Sequence, residues 1–151
     1  MAVLNPAAML GLMTRFRVVV DGVDLGGWAR CSGLSVDFKP EVWFEGGNYQ
    51  HPTYLPGQIE YPPITLQRAM NAQDTPRVQA WLSSRAQSWV NADSSGGGGT
   101  AQITLYDANA HRVASWSLRN VYPSKWDGPE LDARTLGVAI ESLQLVHEGF
   151  L

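Results

Sequence analysis

One segment of this 151-residue chain is committed by its pattern to a single kind of element, and the rest must fold to suit it. Between residues 76 and 90, Val78, Trp81, Leu82, Ala86, Trp89 and Val90 recur at the one-sided spacing of a 3.6-residue period. Ser83, Ser84, Gln87 and Ser88 fall mostly on the other side. The pattern predicts that Thr75 caps the amino end through its hydroxyl and that Pro76 takes the first helical position, where a missing N–H costs nothing. Asn91 and the glycines beyond it end the helix. Two tryptophans on one face need a large apolar surface to cover them. Nothing else in the chain offers a convincing helical partner, so the helix must pack on a sheet.

Strands supply that sheet. Phe16, Val18 and Val20 alternate with Arg15, Arg17 and Val19, and Asp21-Gly22 then supplies the positive φ of a tight hairpin turn. A short return through Leu25 and Trp28 leads to Cys31-Ser32-Gly33-Leu34. Val36, Phe38, Val42 and Phe44 share one parity, against Asp37, Lys39, Glu41, Trp43 and Glu45. Pro40 inside this run implies an edge position or a bulge, because proline cannot donate to a ladder. Residues 46–58, rich in Gly, Pro and Tyr, read as a long loop of the kind that carries function or moves. A strand over residues 59–68 follows, with Ile64 and Leu66 inward and Pro62-Pro63 forcing an irregular entry.

After the helix, residues 94–99 read as a flexible serine-glycine connector. Alternation resumes at residues 101–107 and, past a turn at Ala108, Asn109 and Ala110, at residues 112–121. Residues 122–135 read as an irregular crossing. The last element, residues 136–148, fits strand and helix periods about equally: Leu136, Val138 and Ile140 alternate, but Leu143 and Leu145 take the opposite parity. We read it as a strand with a phase shift, most simply a bulge. The sum is a mainly β fold of six or seven strands, a β-sandwich or small barrel flanked by a single α-helix. Residues 1–14 form an N-terminal arm and residues 15–151 one domain. At this length a domain buries roughly 70% of its unfolded surface and needs no disulfide or metal to fold.

Composition narrows the function. A net charge of −3, with no basic cluster beyond Arg15 and Arg17, argues against sequence-specific nucleic-acid binding, which wants a concentrated positive footprint. The single Cys31 has no internal disulfide partner, which points to a cytosolic origin. The apolar run from Ala7 to Met13 is too short to span a bilayer and lacks a signal peptide's charged leader. A soluble chain with no leader and no membrane anchor is expected, its arm packed on its own domain or on a neighbour.

No catalytic constellation emerges. Glycines 96–99 follow a helix and precede a strand, whereas a phosphate loop opens a helix and carries a lysine and a hydroxyl directly after it. His51, His111 and His147 lack ligand spacing; Glu141 and His147, on one strand, would stand roughly 20 Å apart. Asp107-Ala108-Asn109 opens like a calcium loop but lacks the glycine and the distant glutamate. Cys31 has no sequence-local base and reads as a half-buried structural thiol. The scattered carboxylates are expected to face outward. No cofactor or metal is therefore expected. Of six tryptophans, Trp81, Trp89 and Trp116 fit core faces, while Trp28, Trp43 and Trp126 are open to a partner-surface role as much as to a core one.

Seven short motifs, in order, carry a resemblance. They are Phe16…Asp21-Gly22; Ser32-Gly33-Leu34; Glu45-Gly46-Gly47-Asn48 with Leu55-Pro56-Gly57; Ile64-Thr65-Leu66-Gln67-Arg68; Ile103-Thr104-Leu105-Tyr106-Asp107; Trp116…Asn120-Val121-Tyr122-Pro123-Ser124-Lys125-Trp126; and Ala139-Ile140-Glu141-Ser142-Leu143…His147-Glu148-Gly149. In this order the chain resembles the contractile tail tube proteins, which include phage tail tubes and the inner tubes of extracellular contractile injection systems. Ala69 (where glycine is expected), the glycine-rich connector and the apolar start depart from the pattern and bear on subtype.

The resemblance implies stacked, six-membered rings forming a hollow tube, with a contractile sheath outside, baseplate proteins at one end and payload in the lumen. It also implies assembly in the bacterial cytoplasm into a phage or phage tail-like particle that can be released. The final element would then be a strand. Contact with the next subunit or ring is expected at Trp43, Gly46, Gly47, Asn48, Tyr49, Tyr54, Pro56 and Gly57: the glycines permit unusual backbone angles and the aromatics supply area. A tube-initiating, baseplate-proximal paralogue is the alternative within the family. A monomeric small-ligand-binding β-barrel is the alternative outside it, though the many large apolar side chains argue for a filled interior.

Overall fold

The computed structural model describes residues 16–47, 49–91 and 98–151. The N-terminal arm, Arg15, Asn48 and most of the 94–99 connector lie outside the described residues. The elements run β1 (Phe16–Val20), β2 (Val23–Asp24), β3 (Arg30–Ser32), β4 (Asp37–Trp43), β5 (Thr53–Glu60), β6 (Ile64–Ala69), α1 (Thr75–Val90), β7 (Gly99–Tyr106), β8 (Arg112–Asp127) and β9 (Ile140–Val146). Seven strands form one antiparallel sheet in the order β2-β1-β7-β8-β9-β6-β3, while β4 and β5 pair only with each other.

The long strand β8 explains how one sheet makes a sandwich-like core. Its first part pairs with β7, and its second part, from Tyr122 to Asp127, pairs with β9. Between them the register gains a residue on β8, where Asn120 adopts φ 51°, a left-handed conformation that asparagine tolerates better than most residues. The Asn120 side chain fastens this bulge, accepting from the Gly98 N–H at 2.7 Å and donating to Glu148 Oε1 at 2.6 Å. The inner faces of both parts then share one core: Val18, Val20, Ile103 and Leu118 from one, Ile64, Leu66, Leu143 and Leu145 from the other. The outer strands β2 and β3 do not pair, so the sheet is not a closed barrel.

Helix α1 adds Val78 and Trp81 to that core. Asp21 and Gly22 take φ of 52° and 74° in the β1–β2 hairpin turn, as the dipeptide predicted. Asp21 then turns its carboxylate to the helix: Trp81 Nε1 donates to it at 2.9 Å, the Arg85 guanidinium pairs with it, and the Thr100 N–H donates at 3.1 Å. Burial alone would raise its pKa, but these donors and the Arg85 charge hold it below the usual 3.8.

Several expectations need correction. Thr75 does not cap: Asp74 holds the N-cap position without a side-chain capping hydrogen bond, and the Thr75 hydroxyl accepts from the Asn71 N–H instead. Only the first half of the helix's apolar face is covered: Val78 and Trp81 are buried, while Trp89 and Val90 stay exposed. Trp89 packs edge-to-face with the Tyr122 ring of β8. Residues 53–58 are strand rather than loop, and β6 starts at Ile64 rather than at residue 59. The 122–135 crossing is strand as far as Asp127. Gly99 belongs to β7, packed so closely on Asp21 and Arg85 that a Cβ would overlap them. The phase shift in the last element has a simple cause. Leu136 and Val138 precede the strand and are exposed; β9 begins at Ile140, and its own buried parity is Glu141, Leu143 and Leu145.

Candidate assembly interface

The β4–β5 pair differs from the rest of the molecule. Every residue of β4 is exposed, and on β5 only Thr53 is partly covered. Cross-strand partners share a face, so the register places Phe38 with Ile59 and Val42 with Tyr54 on one side of the ribbon. These four large apolar side chains are 48–63% exposed. The opposite side carries Asp37 with Glu60, Lys39 with Gln58, Glu41 with Leu55 and Trp43 with Thr53. A salt bridge of 2.5 Å from Lys39 Nζ to Glu60 Oε2 lies near the ribbon's base.

The irregularity expected at Pro40 is present and has a structural partner. Between Lys39 and Glu41 the register slips, and Pro56 and Gly57 lie opposite Pro40. A Cβ at Gly57 would overlap the Lys39 carbonyl oxygen, so only glycine lets the strands close here. The bulge keeps Tyr54 and Ile59 on one face although five residues of sequence separate them.

The eight residues singled out from the sequence divide as follows. Trp43, Tyr54, Pro56 and Gly57 lie within the ribbon strands. Gly46 and Gly47, the latter at φ 92°, form the turn beyond β4, and Tyr49 beside them is 97% exposed. Asn48 lies outside the described residues. Sequence reasoning passed over Phe38, Val42 and Ile59, the centre of the apolar face. Their signal was the alternation itself, which marks a strand but does not say whether anything covers it. A smaller exposed apolar group, Leu131, Leu136, Val138 and Ile140, lies around the β8–β9 connection.

The expected outward-facing carboxylates have one exception. Glu141 is fully buried and accepts from Arg68 Nε at 2.5 Å. Arg68 Nη1 also donates to the Leu25 carbonyl at 2.5 Å and Nη2 to the Asp74 carbonyl at 3.1 Å, while its guanidinium stacks 4.1 Å over Trp28. One arginine thus ties β6, β9, the β2–β3 connection and the start of α1 together. Trp28 and Trp126 serve this interior and not an outer face.

The chemistry elsewhere is structural. Asp107 closes the β7–β8 turn, accepting from the Asn109 and His111 N–H groups at 2.9 and 2.8 Å. His147 packs between Tyr61 and Phe150, and burial lowers its pKa. Burial also pushes the half-buried Cys31 thiol up to about 11, far from nucleophilic at neutral pH. Among the described residues no group of three or more His, Cys, Asp or Glu is arranged to hold a metal ion, and no helix is long and apolar enough to cross a membrane.

Comparison with known proteins follows the same line. A family model described as the T4-like virus tail tube protein gp19 matches residues 12–151. Three solved structures show the fold. A chain in the anti-feeding prophage cap, described as the AFP tube terminating cap, is 21% identical over 99% of this chain and 91% of its own, with a TM-score of 0.71. One in the PVC sheath-tube complex of an extracellular contractile injection system, in its extended state, is 19% identical over 94% and 90%, TM-score 0.70. One in the six-fold symmetrised anti-feeding prophage baseplate is 22% identical over 88% and 87%, TM-score 0.65. No curated protein matches.

Proposed function

The chain belongs to the T4-like virus tail tube protein gp19 family, and from that premise we propose that it is a subunit of the inner tube of a contractile injection particle, built as stacked, six-membered rings around a hollow conduit for payload. The observation that carries this reading is the ribbon. A two-stranded hairpin is marginal in water by itself, and this one presents four large apolar side chains with no described neighbour to cover them. A repeated contact between copies covers that face once per subunit, and a head-to-tail contact that closes makes a ring. Trp43, Gly46, Gly47, Tyr49, Tyr54, Pro56 and Gly57 then act as contact residues, joined by Phe38, Val42 and Ile59. Residues 15–151 act as the assembling domain and residues 1–14 as its arm. The sheath lies outside the tube, baseplate proteins meet its first ring, and assembly precedes release of the particle from the bacterial cytoplasm.

The role is mechanical, with no bond chemistry. The side chains that fill the interior, from Val18 to Leu145, leave the small-ligand barrel little support. Negative-stain electron microscopy of the purified chain, dilute and then concentrated, tests the proposal. Rings or hollow tubes are expected, and Phe38→Ser with Tyr54→Ser should abolish them while leaving a folded monomer. Compact wild-type monomers at every concentration, even with a nucleating baseplate added, would overturn it.

A further inference from the structure

Residues 147–151, which follow β9, are fastened to the sheet at several points, and one of the fastenings titrates. The Arg119 N–H of β8 donates to the Gly149 carbonyl at 2.9 Å, and the Glu148 N–H donates to the Arg119 carbonyl at 2.8 Å. Side chains of β8 add two more bonds. Arg119 Nη1 donates to the Leu151 carbonyl at 2.6 Å, and Asn120 Nδ2 donates to Glu148 Oε1 at 2.6 Å. The remaining fastening is the His147 imidazole. Its Nδ1 accepts from the Gly149 N–H at 3.1 Å, and its ring packs against Tyr61 and Phe150 with centroids 5.5 and 6.1 Å away. Gly149 is buried at φ 134°, and a Cβ there would overlap the Arg119 guanidinium and the Tyr61 ring.

This arrangement admits one protonation state. A backbone N–H can only donate, so Nδ1 must present its lone pair and the imidazole is neutral. Nε2 then carries the hydrogen, and it is buried with no hydrogen-bond partner among the described residues. A second proton, on Nδ1, would set two donors against each other and leave an imidazolium short of water. Burial already pulls the ring below its usual 6.5, and the Pro62 backbone offsets this only in part. The charged groups nearby give no relief: Arg119 of β8 is a cation packed on Gly149, and the Glu148 carboxylate is engaged by Asn120. The titratable group that the β5–β6 connection turns to the ring is Tyr61. We propose that residues 148–151 form an acid-released clasp, closed on β8 while His147 is neutral and freed when its imidazole takes a second proton. Because Glu148 also fastens the Asn120 bulge, release loosens the joint between the two parts of β8. The clasp is a property of one subunit, independent of how copies assemble.

The released form takes up the proton first, so the clasp is closed above 6.5 and opens as pH falls through the lower value of the folded chain. Amide hydrogen exchange of the full, dilute chain, followed by nuclear magnetic resonance from neutral to mildly acidic pH, tests this. Protection of the Arg119, Glu148 and Gly149 amides should fall about tenfold, the upper range for loss of one hydrogen bond. The fall should share its midpoint with the titration of the His147 ring protons. Leu143 and Leu145, buried in β9, should keep their protection. His147→Asn offers an Oδ1 acceptor close to the Nδ1 position and has no proton to gain, so its clasp should stay protected in acid. A His147 ring that titrates in the wild type while the three amides keep their protection would overturn the proposal. An equal loss in wild type and His147→Asn would do the same, as would a loss that takes Leu143 and Leu145 with it, since that is acid unfolding and not release.

Discussion

Two antiparallel pairs in this molecule share a sequence pattern and have opposite fates. In β6 and β9, Ile64 pairs with Leu145 and Leu66 with Leu143, and all four are fully buried. In β4 and β5, Phe38 pairs with Ile59 and Val42 with Tyr54, and all four are exposed. The alternation and the residue sizes are comparable. The surroundings are not. β6 and β9 face β1 and β7 across a common core, whereas the ribbon belongs to neither part of the sheet. Alternation encodes a strand with an apolar face, and topology decides whether that face is covered within the chain or between chains.

The contrast can be broken first at the buried pair. Arg68 and Glu141 face each other across β6 and β9, so removing one charge leaves the other in the core. Glu141→Gln should cost about 3–5 kcal/mol in urea unfolding of the monomer. Replacing both, Arg68→Met with Glu141→Leu, should recover most of that loss, because the pair's desolvation is then relieved together with its attraction. A cost below about 1 kcal/mol for Glu141→Gln would show that the hub is dispensable and that packing alone holds these strands.

A matched pair of truncations sharpens it next. Leu66→Ala should destabilise the monomer by about 2–5 kcal/mol, since the methylenes it loses are fully packed. Val42→Ala, on the exposed ribbon face, should change the same measurement by less than about 0.5 kcal/mol. Similar costs for both would mean that the ribbon face packs inside the monomer after all.

The helix anchor comes third. Asp21→Ala removes the acceptor for Trp81, Arg85 and Thr100 and should cost roughly 1–2 kcal/mol at neutral pH, the scale of hydrogen bonds to a charged group in a partly exposed site. The sign of the pH dependence follows from the lowered pKa. The unfolded chain takes up this proton first as pH falls, so the contribution is full well above 3.8 and is lost as pH drops through the folded value. The gap between wild type and Asp21→Ala, followed by thermal unfolding, should narrow in acid to the pH-independent cost of placing alanine at φ 52°. A constant gap would assign the cost to packing rather than to the carboxylate.

What was legible in the sequence follows the same division. Local chemistry was readable: Asp21-Gly22 fixes its turn through backbone sterics, Pro40 marks a bulge, and the 3.6-residue period finds the helix. Features set by distant partners were not. Glu141 reads as an outward charge on a strand, because Arg68 lies 73 residues away and only the β6–β9 register brings them together. Trp89 has the parity of a core residue but sits in the last turn of the helix, where it meets Tyr122 and is left mostly exposed. The extra strand length of β8 was hidden by Pro123 in its ladder, which reads as a break until the register slip beside it is seen. The ribbon was half seen: its glycines and tyrosines drew attention as a loop, while its apolar centre was indistinguishable from an ordinary strand.

The smallest effect on the monomer tests the comparison most severely. Phe38→Ser with Tyr54→Ser places two hydroxyls where large apolar side chains face solvent, so monomer stability should stay within about 0.5 kcal/mol of wild type by urea unfolding. Assembly should respond differently. If the ribbon face is buried between copies, each aromatic removed there forfeits about 1.5–3 kcal/mol per contact, and the loss repeats at every subunit around a ring. Sedimentation velocity should then show monomer at concentrations where the wild type forms larger species. A variant that is destabilised yet still assembles would reverse the assignment, making the ribbon an internal brace. A variant with intact stability and no assembly would locate the contact on the β4–β5 ribbon, whose apolar side stays exposed among the described residues.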